Sequence, residues 1–248
     1  MQNIDHQQFK VDLMRAAEIN GIAALITEEA AEKLYMLTVR MLTVNETFNL
    51  TAIKDVRRVI LLHYVDSLLA ARHLPKAASV IDVGCGAGFP SLPLAICRPD
   101  LRITAMDATA KRVAYVEETA ALLSLSGLSV LTGRAEELGN DPAFRESFDV
   151  ATARAVAALP VLAELCIPFV KKGGLFLALK GRNAQAELTE AKGAIALLGG
   201  QVSHTDETPV TAEDGERFER AAILIEKAEK TPKDYPRQYG RILKKPLG

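Results

Sequence analysis

Cysteine is scarce: Cys85, Cys97 and Cys166 are the only three in 248 residues. Their separations make neither a metal-ligand spacing nor an even-numbered disulfide framework, so we expect reduced thiols, no metal and a cytoplasmic setting. No apolar run approaches the roughly 20 residues that cross a bilayer, which argues against a membrane-spanning role. The opening MQNIDHQQFKVDLMRAA holds no basic start followed by an apolar stretch, and no secretory signal is expected. Charge of one sign is lacking too, with 30 Lys and Arg against 31 Asp and Glu. A near-neutral chain offers no global case for nucleic acid, and any such case rests on local clusters. Internal repeats, low-complexity segments and exposed apolar stripes are absent, and we expect a monomer.

The residues that are present fall into two textures. Up to about residue 75 the pattern is helical. FKVDLMRAAEING sets Phe9, Leu13, Ala16 and Ala17 on one face and stops at Asn20-Gly21. Thr27 ahead of Glu28 and Glu29 starts a second helix with the stripe Leu34, Leu37 and Met41. A non-helical stretch, NETFNLTAIKD, precedes a third helix over residues 56–72. From residue 79, short runs (SVIDV, RITAMD, LSVLT, FDVATA, GLFLALK, RAAILIEK) alternate with helical segments over residues 89–97, 110–123, 157–170 and 183–198. Such alternation means βαβ units and a mostly parallel sheet. GQVSHTDET adds a strand with no helix fitting before RAAILIEK, so these two should pair like a hairpin at the sheet's end. The expected fold class is α/β, with a sheet of about seven strands. It divides into an N-terminal helical extension (1–75), a ligand-binding core (76–228) and a basic C-terminal tail (229–248) whose prolines argue against regular structure.

VIDVGCGAGFPSLPLA places Gly84, Gly86 and Gly88 between the first strand and a helix, where open α/β sheets hold ligands. Glycines so close together are costly unless the backbone must approach something. The dinucleotide fingerprint would need a small residue where Phe89 stands, and the Walker ending is missing. Asp82 at the strand's end sits badly beside a pyrophosphate. It suits a ligand carrying an ammonium and a sulfonium, and S-adenosylmethionine has both and no phosphate. Asp107 ends the second strand, where a carboxylate can accept from two ribose hydroxyls, a device NAD proteins share. Ala135 and Glu136 offer a small and a polar residue for an adenine edge. Taken together these favour S-adenosylmethionine over NAD, although Asp107 and Glu136 singly are also ordinary helix caps. Cys85 has no neighbouring base and reads as a small filler.

The fourth strand, FDVATARAVAALP, carries neither the Asn/Asp-Pro-Pro-aromatic cluster of amino-group methylation nor the Pro-Cys nucleophile of cytosine C5 methylation. It ends on Arg154. A cation there disfavours taking a proton from an amine and suits an electron-rich ring or a phosphate; an ion pair with a nearby acid fits it equally. An acceptor with a free lone pair, such as guanine N7, needs only in-line placement.

With FNLTAI (48–53), HYVDSL (63–68), MDATAKR (106–112), RAEE (134–137), ARAVAAL (153–159), LKG (179–181) and the terminal YPRQYGRILKKPL in this order around the glycine loop, the chain resembles the RsmG (GidB) family over nearly its whole length. These are bacterial methyltransferases acting on N7 of a guanosine in the 530 loop of 16S rRNA. The resemblance implies a class I, Rossmann-like methyltransferase, S-adenosylmethionine as cofactor, and 16S rRNA or the small ribosomal subunit as partner. It implies that Gly84 and Phe89 contact the cofactor, with Asp107 at the ribose and Ala135-Glu136 along the adenosine. Arg154 would stand at the cofactor and acceptor end, with no general base. Two residues depart from the family: Ser91 stands where a glycine is usual, and Ala153 where a serine commonly precedes the arginine.

Phosphate contacts supply much of the affinity for RNA, so local cations are candidate contacts. The tail offers Lys230, Lys233, Arg237, Arg241, Lys244 and Lys245, with Tyr235 and Tyr239 able to stack on bases. Lys54, Arg57 and Arg58 open the third helix, Lys111 and Arg112 follow the second strand, and Lys180 and Arg182 lie near the end of the fifth. Each cluster alone is an ordinary solvated surface; bordering the strand ends together, they would frame one RNA face. His63, Asp66 and Ser67 look like a triad, but no nucleophile elbow accompanies them. A polar contact tying the N-terminal helices to the sheet is expected instead. A methyltransferase of the same fold acting on a protein or small molecule is the alternative, and it would survive deletion beyond Thr231. An NAD oxidoreductase would need a hydride-handling pair that is absent, and a non-catalytic RNA-binding module would not need Gly84, Asp107 and Arg154.

Overall fold

A computed structural model of the chain describes residues 4–248. Helix α1 (His6–Ile19) starts on Asp5, whose side chain accepts the Gln8 N–H, and buries Phe9, Leu13, Ala16 and Ala17. Helix α2 (Glu28–Asn45) is capped by Thr27 onto the Ala30 N–H and buries Leu34, Leu37 and Met41. The third expected helix is not regular. It begins as α3 (Val56–Val59), widens into a π turn over Ile60–Val65, recovers as α4 (Asp66–Leu69) and tightens to a 3-10 end at Ala70–His73. Single π turns frequently mark functional sites.

Strands β1 (Ser79–Val83), β2 (Arg102–Asp107), β3 (Leu128–Thr132), β4 (Phe148–Arg154) and β5 (Val170–Lys180) run parallel. Helices α5 (Ser91–Cys97), α6 (Ala110–Leu122), α7 (Ala135–Leu138) and α8 (Leu159–Cys166) connect them. Helix α9 (Ala184–Leu197) crosses over to β6 (Gly200–Asp206), and a two-stranded pair, β7 (Val210–Thr211) and β8 (Arg217–Phe218), follows. Strand β9 (Ala221–Lys227) then inserts between β5 and β6, antiparallel to both. The order β3-β2-β1-β4-β5-β9-β6 makes a seven-stranded, mostly parallel, Rossmann-like sheet, as the alternation of runs predicts.

Three boundaries move. Helix α5 starts at Ser91 because Phe89 and Pro90 still belong to the glycine turn. The helix expected over 157–170 stops at Cys166, and a 3-10 turn (Ile167–Phe169) containing Pro168, which has no N–H, leads into β5. The tail is irregular up to Gln238, a stretch that holds Pro232 and Pro236, and then forms α10 (Tyr239–Lys244), whose Ile242 is fully buried. Two apolar layers flank the sheet. One packs α1, α2, α5 and α6 through residues such as Leu34, Leu92 and Val116; the other packs α8, α9 and α10 through Leu162, Ile195 and Ile242. Connections from β1 and β4 diverge to opposite sides, so the carboxyl ends of those strands open a crevice. The glycine loop leaves β1 there, and Arg154 ends β4. Among the described residues no helix is long and apolar enough to cross a membrane.

Candidate active site

The glycine loop is pinned to the neighbouring strand, for Gly84 and Cys85 both donate their N–H to the Met106 carbonyl, at 2.9 and 2.8 Å. Gly86 donates to Asp107 Oδ2 at 3.0 Å and Thr109 to Oδ1 at 2.8 Å, with the Arg112 guanidinium 3.6 Å away. Asp107 is thus oriented by two backbone amides, and each of its oxygens keeps a second acceptor position. Gly84 has φ +77°, and a Cβ there would stand 2.7 Å from Val156 Cγ2. Both the left-handed backbone and the close approach of the turn after β4 therefore require glycine.

Asp82 lies beneath this loop, 1% exposed. Its Oδ2 accepts the Ser91 hydroxyl at the start of α5, and its Oδ1 has no partner among the described residues. Burial pushes the carboxyl up to about 6, opposed by the Ser91 hydrogen bond and the Arg154 charge. Ser91, the residue that departs from the family's usual glycine, is itself fully buried and serves this carboxylate. The Cys85 thiol is buried and pushed up, away from reactivity.

Arg154 is held by the π turn. Its Nη1 donates to the Leu62 carbonyl at 2.9 Å and to Asp66 Oδ2 at 2.7 Å, and its Nη2 faces His63 Nδ1 at 3.3 Å. Asp66 also accepts Arg220 Nε at 2.8 Å. The guanidinium lies 5.5 Å from the centre of the Phe89 ring, on which His63 stacks at 4.3 Å and 7°. A donor facing Nδ1 makes it the lone-pair nitrogen, so Nε2–H donates to Thr51 Oγ1 at 3.0 Å. Burial and the Arg154 charge hold His63 down at about 3, and the ring is neutral. The Asn45 side chain fastens the preceding loop by accepting from Leu50 and Thr51 N–H and donating to the Thr51 carbonyl. Asn45 and Arg220 gave no signal in sequence; Thr51 did, as part of FNLTAI. Of the two readings of Arg154, the geometry shows the ion pair, with Asp66 as its acid. Ala155, next in the chain, is left-handed at φ +57°.

The remaining candidates divide. Ala135 and Glu136 open α7, with Glu136 buried and its Oε1 3.5 Å from Arg134. Lys54, Lys111, Arg112, Arg182, Arg241, Lys244 and Lys245 are exposed. Arg57 pairs with Asp12 at 3.1 Å, and Arg58 stands 3.8 Å from Glu216. Arg182 borders a cleft of about 690 Å³ shared with Arg217 and Arg220. Two expected RNA contacts are corrected. Lys180 turns inward, its side chain 8% exposed, to Glu187 at 2.7 Å and the Ala157 carbonyl at 2.6 Å. Arg237 is spent on the buried Glu164. A cation's sequence position does not reveal the acid that the fold brings to it.

A family model described as rRNA small subunit methyltransferase G matches residues 30–213. A ribosomal RNA small subunit methyltransferase G of Leuconostoc mesenteroides is 46% identical over 242 residues, covering 95% of this chain and 98% of that protein. One of an Exiguobacterium species is 48% identical over 205 residues, covering 82% and 85%. Among solved structures, the cyclase SpnF aligns with TM-score 0.56 at 15% identity, covering 81% of this chain and 97% of that one. M. jannaschii TYW2, solved in complex with AdoMet, aligns with TM-score 0.51 at 14% identity, covering 65% and 74%. At such identities the structural likeness speaks for the fold alone, as a cyclase among the neighbours makes plain.

Proposed function

The chain belongs to the rRNA small subunit methyltransferase G family, and from that premise we propose that it transfers a methyl group from S-adenosylmethionine to N7 of a guanosine in the 530 loop of 16S rRNA. One observation supports the reading: the buried carboxylates of Asp82 and Asp107 lie at the glycine loop, and the Arg154 guanidinium, paired with Asp66, ends the adjoining strand. Asp82 Oδ1 is a buried carboxylate oxygen without a partner among the described residues, under a glycine loop packed so tightly that a Cβ at Gly84 would collide with Val156. Such a cradle fits a ligand with an ammonium and a sulfonium and no phosphate. Asp82, Gly84, Gly86, Gly88 and Phe89 would hold its amino-acid end, Asp107 the ribose, and Ala135 and Glu136 the adenine edge. When bound, S-adenosylmethionine supplies an electrophilic methyl group on its sulfonium.

No side chain of this cluster is placed to take a proton. The lone pair of His63 faces Arg154, and Asp66 is paired twice. A ring nitrogen with a free lone pair needs none, and the side chains' task is placement. Arg154 would present its unspent N–H groups to the guanine or its phosphate. Lys54, Arg57, Arg58, Lys111, Arg112, Arg182, Arg241, Lys244 and Lys245 would meet the RNA backbone.

The test is transfer of labelled methyl from S-adenosylmethionine to small subunits from cells lacking this enzyme, mapped by chemical cleavage at 7-methylguanosine. A label at a single guanosine, lost in Arg154→Ala and Gly84→Asp, supports the reading. Binding of S-adenosylmethionine with no rRNA preparation labelled rejects the substrate and keeps the cofactor. A further expectation concerns Lys180, which with Glu187 buckles the turn after Arg154: Glu187 also accepts the Leu159 N–H at 2.8 Å. Lys180→Met should lower kcat by about tenfold to a hundredfold through misplacement of that turn. The salt dependence of rRNA binding should stay unchanged, whereas loss of a phosphate contact would flatten its slope by about one.

A further inference from the structure

The tail runs along residues 134–145 rather than away from the protein. Arg145 donates to the carbonyls of Gly139, Tyr235, Thr231 and Pro232 at 3.0, 2.7, 2.9 and 3.1 Å. Asn140 Nδ2 donates to the Glu136 carbonyl and to the Pro236 carbonyl, both at 2.9 Å. The Arg134 guanidinium lies 5.8 Å from the centre of the Tyr239 ring. Pro236 packs so closely that a Cβ on Gly139 would stand 3.2 Å from its Cγ. The contacts of Arg134, Gly139 and Asn140 fall beside α7, a single helical turn that carries Ala135 and Glu136, and Arg145 links the tail to its end through the Gly139 carbonyl. One turn is too short to hold its own shape in water, so its position comes from what packs against it.

We propose that residues 231–242 of the tail, acting through Asn140, are the buttress that positions the Ala135–Glu136 wall of the cofactor site. This rests on the cofactor reading above. The tail then has two roles carried by different side chains: Tyr235, Pro236, Arg237 and Tyr239 face inward, while Arg241, Lys244 and Lys245 are exposed and free for RNA. Deletion beyond Thr231 consequently does not separate RNA from other acceptors, because it removes support from the cofactor wall as well.

Titration of the full chain with S-adenosylhomocysteine, together with steady-state kinetics and rRNA binding against salt, tests this. Asn140 is exposed, and Asn140→Ala should fold. Its Kd for S-adenosylhomocysteine should rise about five- to tenfold, the yield of hydrogen bonds of ordinary strength. KM for S-adenosylmethionine should rise in step with kcat little changed, and the rRNA salt slope should stay as in wild type. Alanine at Arg241, Lys244 and Lys245 together should do the reverse. Tyr239→Ala, which removes the stack on Arg134, should shift the Kd in the same direction by about two- to threefold and serves if Asn140→Ala does not fold. Wild-type affinity in the folded variant overturns the buttress alone. A wild-type chain that binds neither S-adenosylmethionine nor S-adenosylhomocysteine overturns the buttress and the cofactor reading together.

Discussion

Asp82→Asn is expected to melt higher than wild type at neutral pH and to lose the cofactor. Burial raises the native carboxyl to about 6, whereas an unfolded chain titrates it near an ordinary value of about 4. Below that lower value both states hold the proton and nothing is lost. Between the two values the native state keeps a proton that the unfolded state has released, so stability falls as pH rises. Above about 6 the buried charge costs its full amount, on the order of 2 kcal/mol. Asparagine is neutral throughout, and its amide oxygen can still accept the Ser91 hydroxyl. The variant should therefore melt roughly 4–8 °C above wild type at neutral pH, with the gap closing toward about pH 4. Its Kd for S-adenosylmethionine should rise about ten- to a hundredfold through loss of a charge-assisted contact. Calorimetry across that pH range and a binding titration check both halves. Parallel melting curves for the two proteins would show that Asp82 carries no buried-charge penalty. Under the proposed function the cost has a return, because the unpartnered oxygen would accept from the ligand.

The sheet was legible because period-2 and period-3.6 patterns alternate cleanly from Ser79 to Lys227, and the glycine loop because Asp82, Gly84, Gly86 and Gly88 form one short motif. The π turn was not. Its ILLHYV has the apolar spacing of any α-helix, and the Arg154 hydrogen bond to the Leu62 carbonyl within it comes from a strand 92 residues further on. Ser91 stood out as a departure, but its partner lies nine residues earlier on another element and is brought to it only by the fold. Strands β7 and β8, two residues each, are below what periodicity resolves. The ion pairs that hold Lys180 and Arg237 were hidden in the sequence for one physical reason. A basic side chain in sequence carries charge but no direction, and Glu187 and Glu164 sit on helices that sequence spacing does not place beside them.

Arg237→Ala is expected to be the most destabilising single change in the tail. Glu164 is fully buried on α8 and receives the Arg237 backbone N–H at 2.8 Å, its Nε at 2.8 Å and its Nη2 at 2.7 Å. Those hydrogen bonds raise the guanidinium further above its usual value. Removing the side chain leaves a buried carboxylate with one backbone donor and no countercharge, a loss of about 3–5 kcal/mol. For a chain of this length that lowers the melting temperature by roughly 6–20 °C. Replacing both partners, as in Glu164→Leu with Arg237→Met, should recover most of the loss, because an apolar pair of similar volume is often as stable as the buried ions. Leu162 and Ile242 belong to the same apolar layer and supply suitable surroundings. An arginine kept for rRNA would behave differently: Arg237→Ala would melt like wild type and flatten the salt slope of rRNA binding by about one. The double variant separates the two roles in one protein. If it regains its melting temperature and its rRNA binding keeps the wild-type salt slope, the charge at Arg237 exists for Glu164, and the RNA-facing charge of the tail resides in Arg241, Lys244 and Lys245.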